Sequence, residues 1–304
     1  MVLAPIAAIF FALLQQPPAS VSDFAVYDGN NAFELRDYVH AVTSFERAIQ
    51  LDPKNVVAYR RLATVFDRLD RLADAIATCS KGIAANPADT LLLVDRGRYR
   101  IYNHQVDLAI ADLSRAETMR AGTAVRPLNA KGEITRMQID DGELWLHLGF
   151  ARYLNGEFAA AVAPFDTCLR TPSRSQCEAW RFLALRRAGR AREAQAALDS
   201  LSIPIGAQAR LGNFFFMNIL WMFKRLGPNE DPVVQELPKN ASPSILLAAA
   251  RVRTSVAFNL GTWHVVNGHA DRARSYFEQA IAPPVAPHAF EVLAAEAELE
   301  RMKP

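Results

Sequence analysis

The sequence has little of what short catalytic motifs are made from. It carries 14 glycines, 3 cysteines and 6 histidines in 304 residues. It contains no G-x-S-x-G elbow, P-loop or G-x-G-x-x-G turn, so the usual hydrolase, nucleoside-triphosphate and dinucleotide signatures are missing. His40, His104, His147, His264, His269 and His288 form no H-E-x-x-H, and no Cys/His spacing suits zinc. His147 and His264 fall within helical patterns, where a hydrogen-bonded or solvated imidazole is expected rather than a ligand. The densest carboxylates, Asp140, Asp141 and Glu143, precede a helical stretch and read as N-terminal caps, not as a general acid and base. The sequence therefore points away from an enzyme and calls for no cofactor and no metal. An excess of one charge is missing too. Lys and Arg number 34 against 32 Asp and Glu, a formal charge of +2, which leaves no electrostatic footprint for nucleic acid.

The remaining composition is that of an ordered helical protein. Apolar residues make up 51% and charged residues 22%, and the chain is long enough to bury a large core. Abundant alanine with little glycine favours helix, because alanine loses no side-chain entropy there. Residues 1–22 stand apart. Met1 to Leu14 is continuously apolar, Gln15-Gln16-Pro17-Pro18 breaks it, and Ala19 and Ser20 are small. This resembles a signal for export to the periplasm or outside the cell, ending near residues 19–22. It lacks a Lys or Arg before the apolar run, and an uncleaved tether is the alternative. The run is short of the roughly 20 residues a membrane span needs.

From residue 22 onward a period appears. Ala41, Ala75 and Ala109 are 34 apart. Four residues after each come the apolar Phe45, Cys79 and Leu113, and seven after each the small Ala48, Gly82 and Ala116. Pro53 and Pro87 repeat at the same interval. Two antiparallel helices cross closely only where one carries small residues, and a bulky side chain fills the space beside them. Proline then ends the second helix. In "GELWLHLGFARYLNGEFAAAVAPF", residues 142–165, the spacing is W-x2-L-G followed by A-x3-F, carried by Trp145, Leu148, Gly149, Ala161 and Phe165.

These residues resemble the tetratricopeptide repeat family. The resemblance implies an all-α, right-handed superhelical solenoid of about five or six helical hairpins, with a closing helix in "HAFEVLAAEAELERM" from His288. Regular repeats are expected over 22–123 and a loop over 124–141. Further repeats are expected over 142–206, an irregular helical insertion over 207–250, and a last repeat with a capping helix over 251–304. The layout is similar to that of exported bacterial tetratricopeptide adaptors. The implied activity is a non-enzymatic scaffold that binds a protein or peptide segment, with no small-molecule cofactor.

Two further features are legible. "NFFFMNILWMFKRL", residues 213–226, places aromatic residues around the whole circumference of a helix. It is either wedged inside the solenoid or, through Phe215, Trp221 and Phe223, the interface of a homodimer and so of a self-associating structural subunit. Cys168 and Cys177 lie at the end of one helix and the start of the next. They are either bonded, which an oxidising compartment permits, or two small core residues.

In the resembled family the first helix of each repeat lines the concave face through positions near 2, 5, 9 and 12, which share one stripe. Here that stripe holds Asn30, Arg60, Thr64 and Arg98, with Arg61 alongside, and then Leu146, Phe150 and Tyr153. The groove is expected to run from a basic, hydrogen-bonding end to an aromatic one. It either suits an extended segment with an acidic group near Arg60 and Arg98 and an apolar anchor at Phe150, or carries merely solvated arginines with Phe150 packed under the 124–141 loop. The family's carboxylate clamp is matched only by Asn30, because Val26, Arg61, Leu91 and Asp95 occupy its other four places.

Overall fold

The structure is a computed structural model that describes residues 20–120, 136–171, 174–200, 242–286 and 288–303. The described residues form thirteen α-helices and no strand. Six hairpins follow one another: α1 (Val21–Glu34) with α2 (Tyr38–Leu51), α3 (Val56–Arg68) with α4 (Leu72–Ala85), α5 (Thr90–Tyr102) with α6 (Val106–Arg120), α7 (Arg136–Leu154) with α8 (Phe158–Cys168), α9 (Arg174–Arg187) with α10 (Ala191–Ser200), and α11 (Pro243–Val266) with α12 (Ala270–Ile281). A final helix, α13 (Phe290–Arg301), closes the chain. None of the described helices is long and apolar enough to cross a membrane.

Each hairpin turns in the same way. At the turn one residue takes a left-handed conformation: Arg36, Asp70 and His104 with φ of 61°, 57° and 56°, and Gly156, Gly189 and Gly268 with φ of 79°, 74° and 81°. The next residue's N–H reaches back five positions, as in Asp37 to Ala32 (2.9 Å), Arg71 to Phe66 (2.8 Å) and His269 to His264 (2.9 Å). These bonds satisfy carbonyls that the helix end would leave open. The starts are capped by side chains. Ser20 and Asp23 form a reciprocal capping box on α1, and the Asn55 side chain accepts from the Ala58 N–H on α3. Asn55 also donates to Ser22 Oγ (2.8 Å), which donates to the Ala48 carbonyl (2.9 Å), so one cap fastens two consecutive repeats.

In three of the hairpins the two helices touch through a glycine on the first and a phenylalanine on the second. A Cβ placed on Gly29 would lie 2.7 Å from the Phe45 ring, on Gly149 2.6 Å from Phe165, and on Gly261 2.5 Å from Phe277. All three phenylalanines are fully buried. In the second repeat the same two places hold Ala63 and Cys79, also fully buried. The chain divides into two units, Met1–Tyr99 and Arg100–Pro304. The first has a core of small and aliphatic residues around Phe45, Tyr59, Leu62 and Cys79. The second is built around Phe150, Tyr153, Phe165, Trp180, Phe258 and Phe277.

Three boundaries differ from the sequence reading. Residues 20–22, assigned there to the export segment, belong to α1: Ser20 is its cap and Ser22 is buried in the tie to Ala48. The helix α7 starts at Arg136, inside the stretch 124–141 read as loop, so Asp140, Asp141 and Glu143 stand within a helix and do not cap it. That stretch is continuous with the apolar helical pattern of Gly142–Leu154, which carries the helix back through its polar residues. Residues 243–250, placed in the irregular insertion, are the first two turns of the 24-residue α11, whose start is set by Ser242 and Pro243. The rest of the insertion, including Phe215, Trp221 and Phe223, lies outside the described residues.

Gly149→Ala should lower stability by about 1–3 kcal/mol in urea unfolding, because the new Cβ would overlap the fully buried Phe165 ring. Arg36→Gly should act in the opposite direction. It relieves a left-handed conformation at an exposed turn and should raise stability by about 0.5–1 kcal/mol in the same measurement.

Candidate protein-binding surface

In the first unit the basic residues of the stripe are held by one carboxylate. Arg60 on α3 and Arg98 on α5 lie one repeat apart in sequence, and Asp95 sits between their side chains. Arg60 Nε is 2.6 Å from Asp95 Oδ2 and Arg98 Nη2 is 3.2 Å from Asp95 Oδ1. The Asp95 side chain is only 5% exposed, whereas those of Arg60 and Arg98 are 20% and 24% exposed. Arg98 also donates to the Tyr99 hydroxyl at 3.0 Å and lies 4.9 Å from its ring centre. Burial pushes the Tyr99 hydroxyl well above its usual range, so it stays a neutral hydrogen-bonding group beside Thr64. The Thr64 hydroxyl donates to the Arg60 carbonyl at 2.9 Å. Arg61 and Asn30 are half-buried on α3 and α1. The structure thus brings Arg60, Thr64 and Arg98 together, and Asp95 is the residue that the sequence reading passed over. Its signal was there: Asp95 and Arg98 are three apart on one helix face.

The aromatic residues expected to line the other end are not accessible. Leu146, Phe150 and Tyr153 are 3%, 0% and 0% exposed. Phe150 is stacked on Phe290 of α13, with ring centres 4.0 Å apart and planes 7° apart, and meets Trp180 edge-on at 4.8 Å. The expectation of an open anchor at Phe150 is therefore corrected. The chain's own last helix fills the place.

That helix is fastened at several points within the second unit. Glu298, 1% exposed, pairs with Arg187 of α9 (3.0 Å) and with Arg301 (2.9 Å). Arg301 donates to the Leu154 carbonyl at the end of α7 (2.8 Å). Arg187 rests 4.6 Å over the Phe158 ring. Burial, with the Glu298 carboxylate nearby, drives the Tyr153 hydroxyl upward, so it too remains neutral. His288 stacks on Tyr102 at 5.0 Å, and His147 meets Phe290 edge-on at 5.6 Å while bonding the Glu143 carbonyl at 2.7 Å. The contact between α13 and α7 spans about half the chain, and no local pattern announces it.

Cys168 and Cys177 are joined as a disulfide with Cα atoms 6.0 Å apart, linking the end of α8 to α9. Among the described residues no group of three or more His, Cys, Asp or Glu side chains could hold a metal ion.

Residues 32–93 match the family model described as tetratricopeptide repeat. A curated relative, "Protein STIP1 homolog" of Dictyostelium discoideum, is 39% identical over 173 residues, covering 51% of this chain and 30% of that protein. A second, "DnaJ homolog subfamily C member 7 homolog" of the same organism, is 25% identical over 96 residues, 30% of this chain and 18% of that protein. The chain thus spans less than a third of either relative. Among solved structures, the type IV pilus biogenesis factor PilW is similar at TM-score 0.49 and 16% identity, covering 90% of this chain and 96% of that one. Pseudomonas aeruginosa pilF is similar at TM-score 0.48 and 16% identity, covering 91% and 97%. Residues 32–93 are thus a tetratricopeptide-repeat segment, and the left-handed turn and the glycine–phenylalanine contact recur in the helical hairpins that follow it.

Proposed function

We propose that the protein is a non-enzymatic adaptor that holds an extended segment of another protein on the inner stripe of its first unit. Tetratricopeptide-repeat proteins mediate protein–protein interaction, and the stripe indicates the chemistry. The observation that carries the reading is the Arg60–Asp95–Arg98 cluster. A buried carboxylate holds two partly exposed guanidinium groups in fixed orientations beside the Thr64 and Tyr99 hydroxyls. Groups held in place before binding lose little freedom when a ligand arrives. Such a surface suits an acidic or carbonyl-rich segment that arginine can grip through paired hydrogen bonds. Asn30 and Arg61 extend it along α1 and α3. In the second unit the corresponding stripe is filled by α13, so the apolar anchor expected at Phe150 is not part of the reading. Export to the periplasm or beyond is part of it, supported by the apolar segment ahead of α1 and by the disulfide.

The test is affinity capture with the full chain, followed by calorimetry on the recovered partner. Arg60→Ala/Arg98→Ala should weaken binding by about tenfold or more, the range expected when charged hydrogen bonds worth roughly 1.5–3 kcal/mol are removed. Wild-type affinity in a variant with unchanged circular dichroism would remove the stripe from consideration.

Two stability measurements accompany this. Asp95→Ala should cost about 1.5–3 kcal/mol in urea unfolding, because it strips two arginines of their shared acceptor. Phe290→Ala should cost about 2–3 kcal/mol, below the roughly 3–5 kcal/mol of a fully buried phenylalanine because the ring is only half-buried, and should leave partner affinity unchanged.

A further inference from the structure

The disulfide raises a question of order. Cys168 is the last residue of α8, and Cys177 stands in the first turn of α9. Both are fully buried. Cys168 Sγ lies 3.8 Å from the Gly142 carbonyl of α7 and 3.8 Å from the Thr171 hydroxyl. Three residues after Cys177 comes Trp180, 2% exposed, which packs against Phe150, Tyr153, Phe258 and Phe290. Making a disulfide requires a third sulfur to reach the pair and a thiolate to attack it. With α9 docked both cysteines are fully buried, which leaves no such approach.

We propose that Cys168 and Cys177 are joined by thiol–disulfide exchange before α9 docks, so that the chain is a client of a disulfide-bearing oxidant and its second unit closes only afterwards. In the first step the thiolate of one cysteine attacks a sulfur of the oxidant's disulfide. A mixed disulfide forms, and the oxidant's other sulfur leaves as a thiolate. In the second step the thiolate of the other cysteine attacks the chain sulfur of the mixed disulfide. The intrachain bond forms and the oxidant's second sulfur leaves. Two electrons pass to the oxidant, its disulfide becomes a dithiol, and the two protons given up by the cysteines end on that dithiol.

The remaining cysteine fits this order. Cys79 lies on α4 in the first unit, fully buried, and burial pushes its thiol far from the reactive thiolate form. The first unit precedes the second along the chain. Once it has folded, Cys79 cannot compete, and one pairing is left.

The experiment uses the full chain, reduced in urea. In one arm it is refolded with oxidised glutathione present. In the other it is refolded under reductant, checked for helix by circular dichroism, freed of reductant and then given oxidised glutathione. Thiols are counted in denaturant and the bonded peptides mapped by mass spectrometry. The first arm should finish with one free thiol, Cys79. The second should close the bond roughly tenfold or more slowly, through transient opening of α9. A reduced chain that reaches native helix content only when the oxidant is present also supports the order. Cys79→Ala should behave as wild type in both arms. Equal rates in the two arms, three free thiols in the first, or Cys79 within the bonded pair would overturn it.

Discussion

The fold depends on one contact, repeated. A glycine on the first helix of a hairpin lets a phenylalanine ring from the second lie directly against its backbone, at Gly29 and Phe45, Gly149 and Phe165, and Gly261 and Phe277. Each pair brings two helix axes close and leaves the remaining small residues, such as Ala41, Ala161 and Ala273, fully buried between them. The left-handed residue at each turn and the bond five residues back then fix how one helix leaves and the next enters. With the hairpin geometry set, the inner stripe follows, because residues spaced by three and four on successive first helices are carried to one side. Arg60 and Arg98 meet at Asp95 for that reason, although 38 positions separate them in sequence.

The hairpins could be read from the sequence because their determinants are local and periodic. Small, large and small residues at a fixed interval, with glycine at the close crossing, describe the packing of neighbours that are also close along the chain. The start of α7 could not be read so easily. Its first turns carry polar residues that look like a loop in isolation, and continuity with the Gly142–Leu154 pattern makes them helix. The disulfide was left open by spacing alone, since two small buried residues and a bonded pair leave the same trace in a sequence.

The site was legible to a smaller degree, and in a different way at its two ends. The basic end announced itself through helical spacing, and only the part played by Asp95 was missing. The aromatic end misled. Leu146, Phe150 and Tyr153 do occupy the stripe, but their neighbour Phe290 is 140 residues further along than Phe150. Arg187 and Glu298 are 111 apart. Periodicity records what each repeat does with the next one and carries no information about a helix that crosses several of them. Glu298 and Arg301, three apart, show as a surface ion pair on an amphipathic helix, and nothing in that pattern tells that the pair faces inward onto α7 and α9.

The position of α13 bears on how such a chain can change over generations. Repeat arrays lengthen by copying a unit, because each unit needs only its two neighbours. Here the last helix is committed to residues encoded far upstream: Phe290 to Phe150, Glu298 to Arg187, and Arg301 to the end of α7. A hairpin duplicated between α12 and α13 would carry the clasp away from its seat and leave Trp180, Phe150 and the half-buried Arg187 uncovered. Growth at that end is barred unless the clasp is first abandoned.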